Sequence, residues 1–365
     1  MRPRRDRRGG GPGHRRGKAV PVKHHPRPLV AVLVAVASLA AASLAVACSS
    51  GADTDAKATH GRAAVAEALR QEVIVAGYIA LAERADELAA SLHAACAGTA
   101  ARAPALEAAR DAWRRTQRQW SATRSYRFGP TQQLRAMPKI AYRIDPAKIE
   151  KLLGGTDPLS EDSVARLGAD QRGLGAVELV IFGATAIDER RCTFALAAAS
   201  AVAAAAHTVV DAWQDDPPAA EDAFIADSVN AMIFALAEVT EMGLGVLVGP
   251  NLQDAALVDG GAAHAAQQDF AAVLDSVEAM RAGGAGGGIG ALLRAMSPDA
   301  DRRLSQQLRE ASVAVAQLAV PLGQTPPAGL ASTHGALRQV LVTMRTEVAS
   351  LLGVTLQLGD ADGDS

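Results

Sequence analysis

Aromatic residues are scarce in this 365-residue chain, at 3% of the sequence, and cysteine occurs only three times. The scarcity of aromatics argues against an all-β fold, because strands favour aromatic and β-branched side chains. Three cysteines exclude a small domain that is held together by many disulfides. Hydrophobic residues make up 49% and charged residues 21% of the chain. This composition is typical of a globular protein, and the length allows a large core.

The body of the chain also lacks an excess of basic residues. Ten of the 37 Lys and Arg residues, but one of the 39 acidic residues, precede position 48. The remainder therefore holds 27 basic and 38 acidic residues, which is a net charge of −11. Because nucleic-acid phosphates are recognised by basic surfaces, we predict no nucleic-acid partner.

The basic N-terminus is followed by an uncharged apolar run of 18 residues over 29–46, and then by Ala47 and Cys48. Basic, apolar and small residues in this order are typical of an export signal. Segment 1–47 resembles a bacterial lipoprotein signal, in which Cys48 receives the lipid and becomes the first mature residue. A membrane-spanning anchor and cleavage without lipidation are the alternatives, since the run is near the lower limit for spanning a bilayer.

Each of these alternatives places the body outside the cytoplasm. We predict a protein of the cell envelope that is attached to the membrane through an N-terminal lipid and faces the periplasm. Ser49 is not the aspartate that often retains lipoproteins at the inner membrane, which favours the outer membrane where one is present. The small, polar residues of 48–60 are predicted to form a flexible tether. In an oxidising compartment Cys96 and Cys192 are expected to form a disulfide, with two separate buried thiols as the alternative.

Beyond the tether the sequence follows a helical pattern, and no run alternates with period two for long enough to predict a strand. We predict an all-α fold of two four-helix-bundle units packed together. The helical domain is predicted over 61–358, with a division near 215–220, and an acidic tail over 359–365. Helices are expected near 62–92, 103–124, 161–182, 193–213, 221–247, 263–281, 299–319 and 328–352.

Two segments interrupt the helical pattern. Between 125 and 146 the chain contains Gly129 and three prolines, which predicts a long ordered loop. Such a loop is often functional, and a packing loop that covers a bundle end is the alternative. The glycine-rich segment 283–290 lacks the glycine spacing and the Lys-Ser/Thr pair of a phosphate loop, so we predict a flexible helix connection there.

Glu178 stands out because strongly apolar residues surround it in the sequence. A carboxylate that is buried there costs several kcal/mol unless it is paired or hydrogen-bonded. Arg127 and Arg143 in the long loop are the candidate partners, and Arg127 is the first choice. Glu178 is thus either half of a structural ion pair or a carboxylate that binds a ligand or a metal.

Several motifs, in order along nearly the whole mature chain, resemble those of the imelysin-like proteins. The motifs are Trp113 and Trp120 followed by Tyr126-Arg127-Phe128-Gly129-Pro130, then Arg143-Ile144-Asp145, Gly173 with Glu178 and Phe182-Gly183, Arg191-Cys192, and the ending from Leu352 to Asp364. The resemblance implies two four-helix-bundle units in an exported and often lipid-anchored protein. The family was named for a peptidase activity, and its members are more often linked to the acquisition of iron and sometimes copper. Iron or another divalent metal is therefore the candidate ligand, and an iron-uptake receptor or permease is the candidate partner.

The chain departs from the family signature G-x-H-x-x-E at one position. Gly175 stands where the family has its histidine, so Glu178 is the only metal ligand of the signature that is kept. Without the pair of ligands we predict no tight metal site, no activated water and no peptidase activity.

We therefore predict a non-enzymatic binding protein. Its ligand site is expected to include Glu178, Arg127, Tyr126, Asp145 and Gly175. A structural or protein-interaction lipoprotein with a degenerate site is the first alternative, and a metallopeptidase is the second.

Overall fold

A computed structural model gives the fold, and it describes residues 61–97, 103–183, 187–215, 220–248, 258 and 261–357. The described residues form helices and turns and no β-strand, which confirms the predicted all-α fold. The predicted signal at 1–47 with Cys48, the tether at 48–60 and the acidic tail at 359–365 lie outside the described residues.

The first half of the described chain contains four long helices and four short ones. In chain order they are α1 (61–95), α2 (Ala103–Ser121), α3 (Pro130–Gln133), α4 (Met137–Ile140), α5 (Pro146–Leu153), α6 (Glu161–Ala165), α7 (Gly173–Phe182) and α8 (Glu189–Asp215). Helix α1 packs on α2 and α8, and α7 packs on the same two helices. We refer to α1, α2, α7 and α8 as the first helix group.

The second half continues with α9 (Glu221–Val248), α10 (Ala266–Ala282), α11 (Ile289–Met296), α12 (Pro298–Ala316) and α13 (327–352). Helix α9 packs on α10 and α13, and α12 packs on the same two helices. We refer to α9, α10, α12 and α13 as the second helix group. Helix α10 also packs against α2, and this contact belongs to the seam between the two groups. The domain division expected near 215–220 stays a prediction.

Two of the long helices contain extended apolar stretches. Helices α8 and α9 are long and apolar enough to cross a membrane, but more than half of each apolar stretch is buried inside the protein. At their junction, the rings of Trp213, Phe128 and Phe224 meet edge to face, with centroids 5.5–6.5 Å apart. Three of the twelve aromatic residues thus meet where α8, the long loop and α9 join.

Three of the long helices contain a π-helical segment, in which the backbone hydrogen bonds skip one extra residue. The segments are Leu69–Val75 in α1, Glu238–Leu244 in α9 and Met344–Val348 in α13. Such segments often occur at functional sites, because they shift side chains around the helix axis. The segment in α9 lies at the seam.

The predicted disulfide is confirmed. Cys96 follows the end of α1 and Cys192 lies in the first turn of α8, and the two residues are joined with their Cα atoms 5.7 Å apart. The bond links two neighbouring helices of the first group across 96 residues of sequence.

The structure contains four short helices that are not predicted from the sequence, α3, α4, α5 and α11, and it differs from the prediction in two further segments. The helix expected over 161–182 is divided into α6, a 3-10 turn over Ala169–Gln171 and α7, because Arg172 is extended and Gly173 has a φ of +78°. The connection at 283–290 is a defined turn, in which the amide of Ala285 donates a hydrogen bond to the Glu72 carboxylate at 2.6 Å. A side chain at Gly284 would collide with Glu72, so the glycines allow this turn to pack on α1.

Candidate functional site

Two glycines bring the long loop against α7. A Cβ atom at Gly173 would lie 2.6 Å from the carbonyl oxygen of Ile140. A Cβ atom at Gly175 would lie 2.9 Å from Cγ2 of Ile144 and 3.5 Å from the carbonyl oxygen of Tyr142. The position where the family has its histidine is therefore occupied by the packed loop, and a larger side chain would have to displace Ile144.

Glu178 lies one turn further along α7, and its partner is a backbone amide. Its carboxylate accepts a hydrogen bond from Ala263, at 3.0 Å, in the turn that precedes α10. Gly261 in the same turn has a φ of +67°, and a Cβ atom there would come within 2.5 Å of Glu178 Oε1. Burial raises the pKa of Glu178 to about 7, although the amides of Ala262 and Ala263 favour the ionised form.

The predicted ion pair between Glu178 and Arg127 is therefore wrong. The Arg127 guanidinium lies 3.6 Å from the centroid of the Trp120 ring. It donates hydrogen bonds to the Trp120 carbonyl and, at 3.3 Å, to the hydroxyl of Thr123. No carboxylate among the described residues forms a salt bridge with it, and burial lowers the pKa of Arg127 to about 9. Stacking and backbone contacts, rather than an anion, hold this cation.

Tyr126 belongs to the core of the first helix group. Its ring meets Tyr78 edge to face at 5.4 Å, and its hydroxyl occupies the space that the missing side chain of Gly77 leaves open. Burial raises the pKa of Tyr126 well above its usual range. Because its ring is packed in the core, Tyr126 fixes the start of the long loop against the first helix group.

Asp145 has a local structural role at the end of the loop. Its carboxylate accepts hydrogen bonds from the amides of Ala147 and Lys148, at 3.0 and 3.2 Å, and thereby caps α5. A cap of this kind satisfies amide donors that have no partner inside the helix. The structure thus keeps Gly175 and Glu178 together on α7 and Tyr126 beside Arg127, but it does not bring all five predicted residues around one pocket.

Asp269 is the residue that sequence reasoning missed. It lies on α10, where one carboxylate oxygen accepts a hydrogen bond from the Gln117 amide at 2.8 Å. Burial raises its pKa to about 6, while the charges of Arg124 and Arg127 lower it. The Asp269 charge in turn raises the pKa of Glu178. The Asp269 carboxylate therefore interacts electrostatically with Glu178 and with the two arginines.

A cavity of about 320 Å³ opens at the seam, and Phe270, the residue after Asp269 in the sequence, is part of its wall. Its lining residues are Arg124, Glu238, Met242, Gly243, Val246, Val258 and Phe270. Arg124 and Glu238 form an ion pair at 3.2 Å, and the remaining side chains that line the cavity are apolar. The π-helical segment of α9 supplies Glu238 and Met242, so the irregular helix shapes the wall.

Buried oxygen atoms without a hydrogen-bond partner are concentrated on the elements that meet at this seam. They are Ser121 Oγ, Ser125 Oγ, Thr240 Oγ1 and Asp269 Oδ1, four of the six such oxygen atoms in the described part of the chain. The Ser121 hydroxyl is close enough to Asp269 to lower its pKa, so these two groups meet without good hydrogen-bond geometry. Each unsatisfied buried polar atom costs about 1–3 kcal/mol. Folded proteins keep few of them, and a local concentration points to a site that uses them. The seam can therefore hold a ligand through polar contacts beside an apolar wall.

The donor set does not fit the metal that the family signature implies. Within the described ranges no group of three His, Cys, Asp or Glu side chains is placed to hold a metal ion. At the signature position Gly175 supplies no ligand, and the Glu178 carboxylate is already hydrogen-bonded to Ala263. A transition metal needs several such ligands, so we assign none to Glu178.

The fold and the seam define a class of all-helical proteins with two helix groups around a polar seam. The family model for imelysin, Peptidase_M75, matches residues 74–343, which is more than half of the chain. The chain belongs to the imelysin family.

Two solved structures share the fold. An imelysin-like protein from Psychrobacter arcticum 273-4 has a TM-score of 0.72 at 16% identity, over 82% of this chain and 98% of its own. A protein from Parabacteroides distasonis ATCC 8503, named as a candidate iron-regulated protein A precursor, has a TM-score of 0.65 at 14% identity. That match covers 80% of this chain and 95% of the other. Among curated proteins, none matches the chain.

Proposed function

We propose that the chain is an exported, lipid-anchored and non-enzymatic binding protein of the bacterial envelope, which holds its ligand at the seam between the two helix groups. The observation that carries this proposal is the seam itself. There a cavity of about 320 Å³ with one ion pair adjoins buried oxygen atoms that lack partners. A filled apolar interface would be the mark of a purely structural protein, and the seam does not have that character.

The non-enzymatic part of the proposal depends on Gly175. Hydrolysis of a peptide by a metal-bound water needs a metal that is held by at least two or three side chains. In this chain the loop segment around Ile144 packs where a histidine would stand, and Glu178 is held by a backbone amide. These contacts support binding without peptide hydrolysis.

The proposed role is in iron or other metal uptake, beside a receptor or permease of the envelope. Membership of the imelysin family supports this role, and so does the name of the Parabacteroides distasonis protein. No group of three metal-binding side chains occurs among the described residues, so neither Glu178 nor the cavity fits a bare metal ion. We therefore place a ligand that carries its metal in chelated form in the cavity beside Arg124 and Glu238.

The proposal is tested in the native host by deleting the gene and returning variants under iron limitation. We expect the wild-type chain to restore growth, and a variant that combines Arg124→Ala with Glu238→Ala to fail. The matched control combines Arg303→Ala with Glu347→Ala, which removes an exposed ion pair between α12 and α13 that has an N···O distance of 2.6 Å. This control should restore growth fully. A deletion strain that grows as well as the wild type under iron limitation would overturn the proposed role in iron uptake.

A second measurement addresses the alternatives directly. The purified protein is titrated by calorimetry with ferric citrate, cupric chloride and zinc chloride, and is also incubated with casein. We expect no cleavage of casein, and any binding should be lost in the Arg124 and Glu238 double variant. A stoichiometric metal that disappears in Glu178→Ala would contradict our placement of the ligand. Cleavage of casein that a chelator stops would restore the peptidase hypothesis.

A further inference from the structure

Most of the long loop belongs to a stretch of sequence that carries positive charge only, and Asp145 near the end of the loop is the first acidic residue after it. Residues 112–144 include eight Lys and Arg residues and no Asp or Glu, within a body whose net charge is −11. Three of these basic residues, Arg135, Lys139 and Arg143, lie exposed on the loop. Among the described residues, no carboxylate forms a salt bridge with any of the three. The loop therefore presents unneutralised positive charge on a protein that is otherwise acidic.

Two large apolar side chains stand exposed among these cations. Met137 is 38% exposed and Tyr142 is 44% exposed. We refer to Arg135, Met137, Lys139, Tyr142 and Arg143 as the loop patch. A single exposed apolar side chain is ordinary in a folded protein. Apolar and basic side chains that alternate along one loop form a surface that is both apolar and positively charged.

The structure holds the loop patch in place from its inner side. Ile140 is fully buried, and Ile144 packs against Gly175 on α7. The guanidinium of Arg172 donates a hydrogen bond to the Pro138 carbonyl at 3.2 Å, which fixes α4. Because the backbone is fixed before any partner arrives, little conformational entropy is lost on docking.

We propose that the loop patch docks the body of the protein onto the surface of an anionic phospholipid bilayer. Lys and Arg side chains are attracted to anionic headgroups, and tyrosine favours the interface between headgroups and acyl chains. Met137 supplies the apolar contact that such interfacial segments bury. The remaining surface is acidic and would be repelled, so the patch also sets the orientation of the body.

This inference rests on the proposed lipid anchor. With a lipid on Cys48 and a tether over 48–60, the body stays close to the bilayer, so a weak patch suffices for docking. Docking through the loop would set how the seam is presented to an envelope partner.

The experiment places a tryptophan in the patch of the full-length chain. The chain carrying Tyr142→Trp is reconstituted with vesicles of phosphatidylcholine, with or without phosphatidylglycerol, in which the acyl chains are brominated to quench tryptophan. The reference reporter is Val313→Trp on α12, where the native side chain is 59% exposed. The three native tryptophans are buried and give a constant background. We expect quenching at 142 in the anionic vesicles only, and none at 313.

Charge variants of the reporter chain then test the patch itself. Combining Arg135→Gln, Lys139→Gln and Arg143→Gln should weaken docking by roughly fivefold per cation, on the order of a hundredfold in all. The matched control neutralises three exposed arginines of the second helix group by Arg302→Gln, Arg309→Gln and Arg338→Gln. The control should dock normally, and circular dichroism should show that both triple variants keep their helices.

The possible results separate this inference from the proposed function. Flotation reports whether the chain attaches to the vesicles at all, and a chain that does not float would overturn both proposals. A chain that floats without quenching at 142, or with equal quenching at 142 and 313, would overturn the docking inference alone. Equal quenching in neutral vesicles, or quenching that needs an added acidic protein, would also overturn it.

Discussion

The Glu178 carboxylate accepts a hydrogen bond from the Ala263 amide at 3.0 Å, and this contact joins α7 to the turn before α10. It therefore links the first helix group to the second. Burial raises the pKa of this carboxyl from 4.5 to about 7, so the link titrates near neutral pH. We therefore expect this contact between the two groups to depend on pH near neutrality.

The first prediction concerns the pH dependence of Glu178→Gln. A carboxyl whose pKa is higher in the folded protein than in the unfolded chain stabilises the folded state while it is protonated. This contribution to stability is complete below about pH 4.5. That contribution is lost as the pH rises through about 7. The glutamine variant keeps the uncharged form, so we expect it to match the wild type at pH 4.5. At pH 8 its free energy of unfolding should be higher by about 2–3 kcal/mol.

Denaturant titrations at the two pH values, without reducing agent, measure this difference. Glu83→Gln is the matched control, because Glu83 is an exposed glutamate of α1. The control should differ from the wild type by the same small amount at both pH values. A glutamine variant at position 178 that is equally or less stable at pH 8 would show that burial of the carboxylate is not the dominant effect.

The fold could be predicted because helical periodicity is a local property. The ends of α8, α9 and α10 lie within a few residues of their expected positions. The break between α6 and α7 was missed, because the positive φ of Gly173 is required by the approach of the Ile140 carbonyl. The contact between the Ile140 carbonyl and Gly173 is a tertiary contact, and no local sequence pattern predicts it.

The partner of Glu178 could not be predicted for a related reason. The apolar surroundings of Glu178 in the sequence predict a charged side chain as its partner, whereas the observed donor is the backbone amide of Ala263. Every residue except proline has such an amide, so the sequence does not single it out. Asp269 was missed because an acid in the first turn of a helix is ordinary in an exposed position. Its burial beneath Gln117 follows from the packing of α10 on α2.

The second prediction concerns lipidation. If Cys48 receives the lipid, changing it to serine should abolish both processing and labelling with a fatty-acid analogue. The mature protein would begin at Cys48 and contain 318 residues, because 47 of the 365 residues are removed. Metabolic labelling followed by electrophoresis measures both effects. Normal labelling of Cys48→Ser would contradict the prediction, whereas processing of the wild type without labelling would favour cleavage without lipid.

The third prediction concerns the disulfide. Replacing Cys96 and Cys192 together by alanine removes a constraint on a loop of 96 residues in the unfolded chain. We expect the free energy of unfolding to fall by about 2–4 kcal/mol, somewhat less than the entropy of loop closure alone suggests. Denaturant titration measures the loss, and thiol alkylation of the unfolded wild type should find neither cysteine free. A double variant as stable as the wild type would show that the disulfide does not contribute to the free energy of unfolding.

The fourth prediction restores the family signature. In Gly175→His the new side chain must displace Ile144, whose Cγ2 atom lies only 2.9 Å from the position of the new Cβ atom. Overpacking of this kind costs about 1–3 kcal/mol. We therefore expect a less stable protein that still lacks a tight metal site, because histidine and Glu178 together provide only two ligands.

A second substitution distinguishes the steric cost of the new histidine from its ability to bind a metal. Adding Ile144→Ala to Gly175→His opens the space that the imidazole needs, so the double variant should recover stability relative to the loss expected from the two single variants. Calorimetry with zinc, copper and ferrous iron is then carried out on both proteins. If the double variant binds one metal tightly and Glu178→Gln abolishes that binding, the packed loop alone has kept this site from holding a metal. Weak binding in both would show that a histidine and Glu178 alone do not make a tight metal site, and that further ligands are needed.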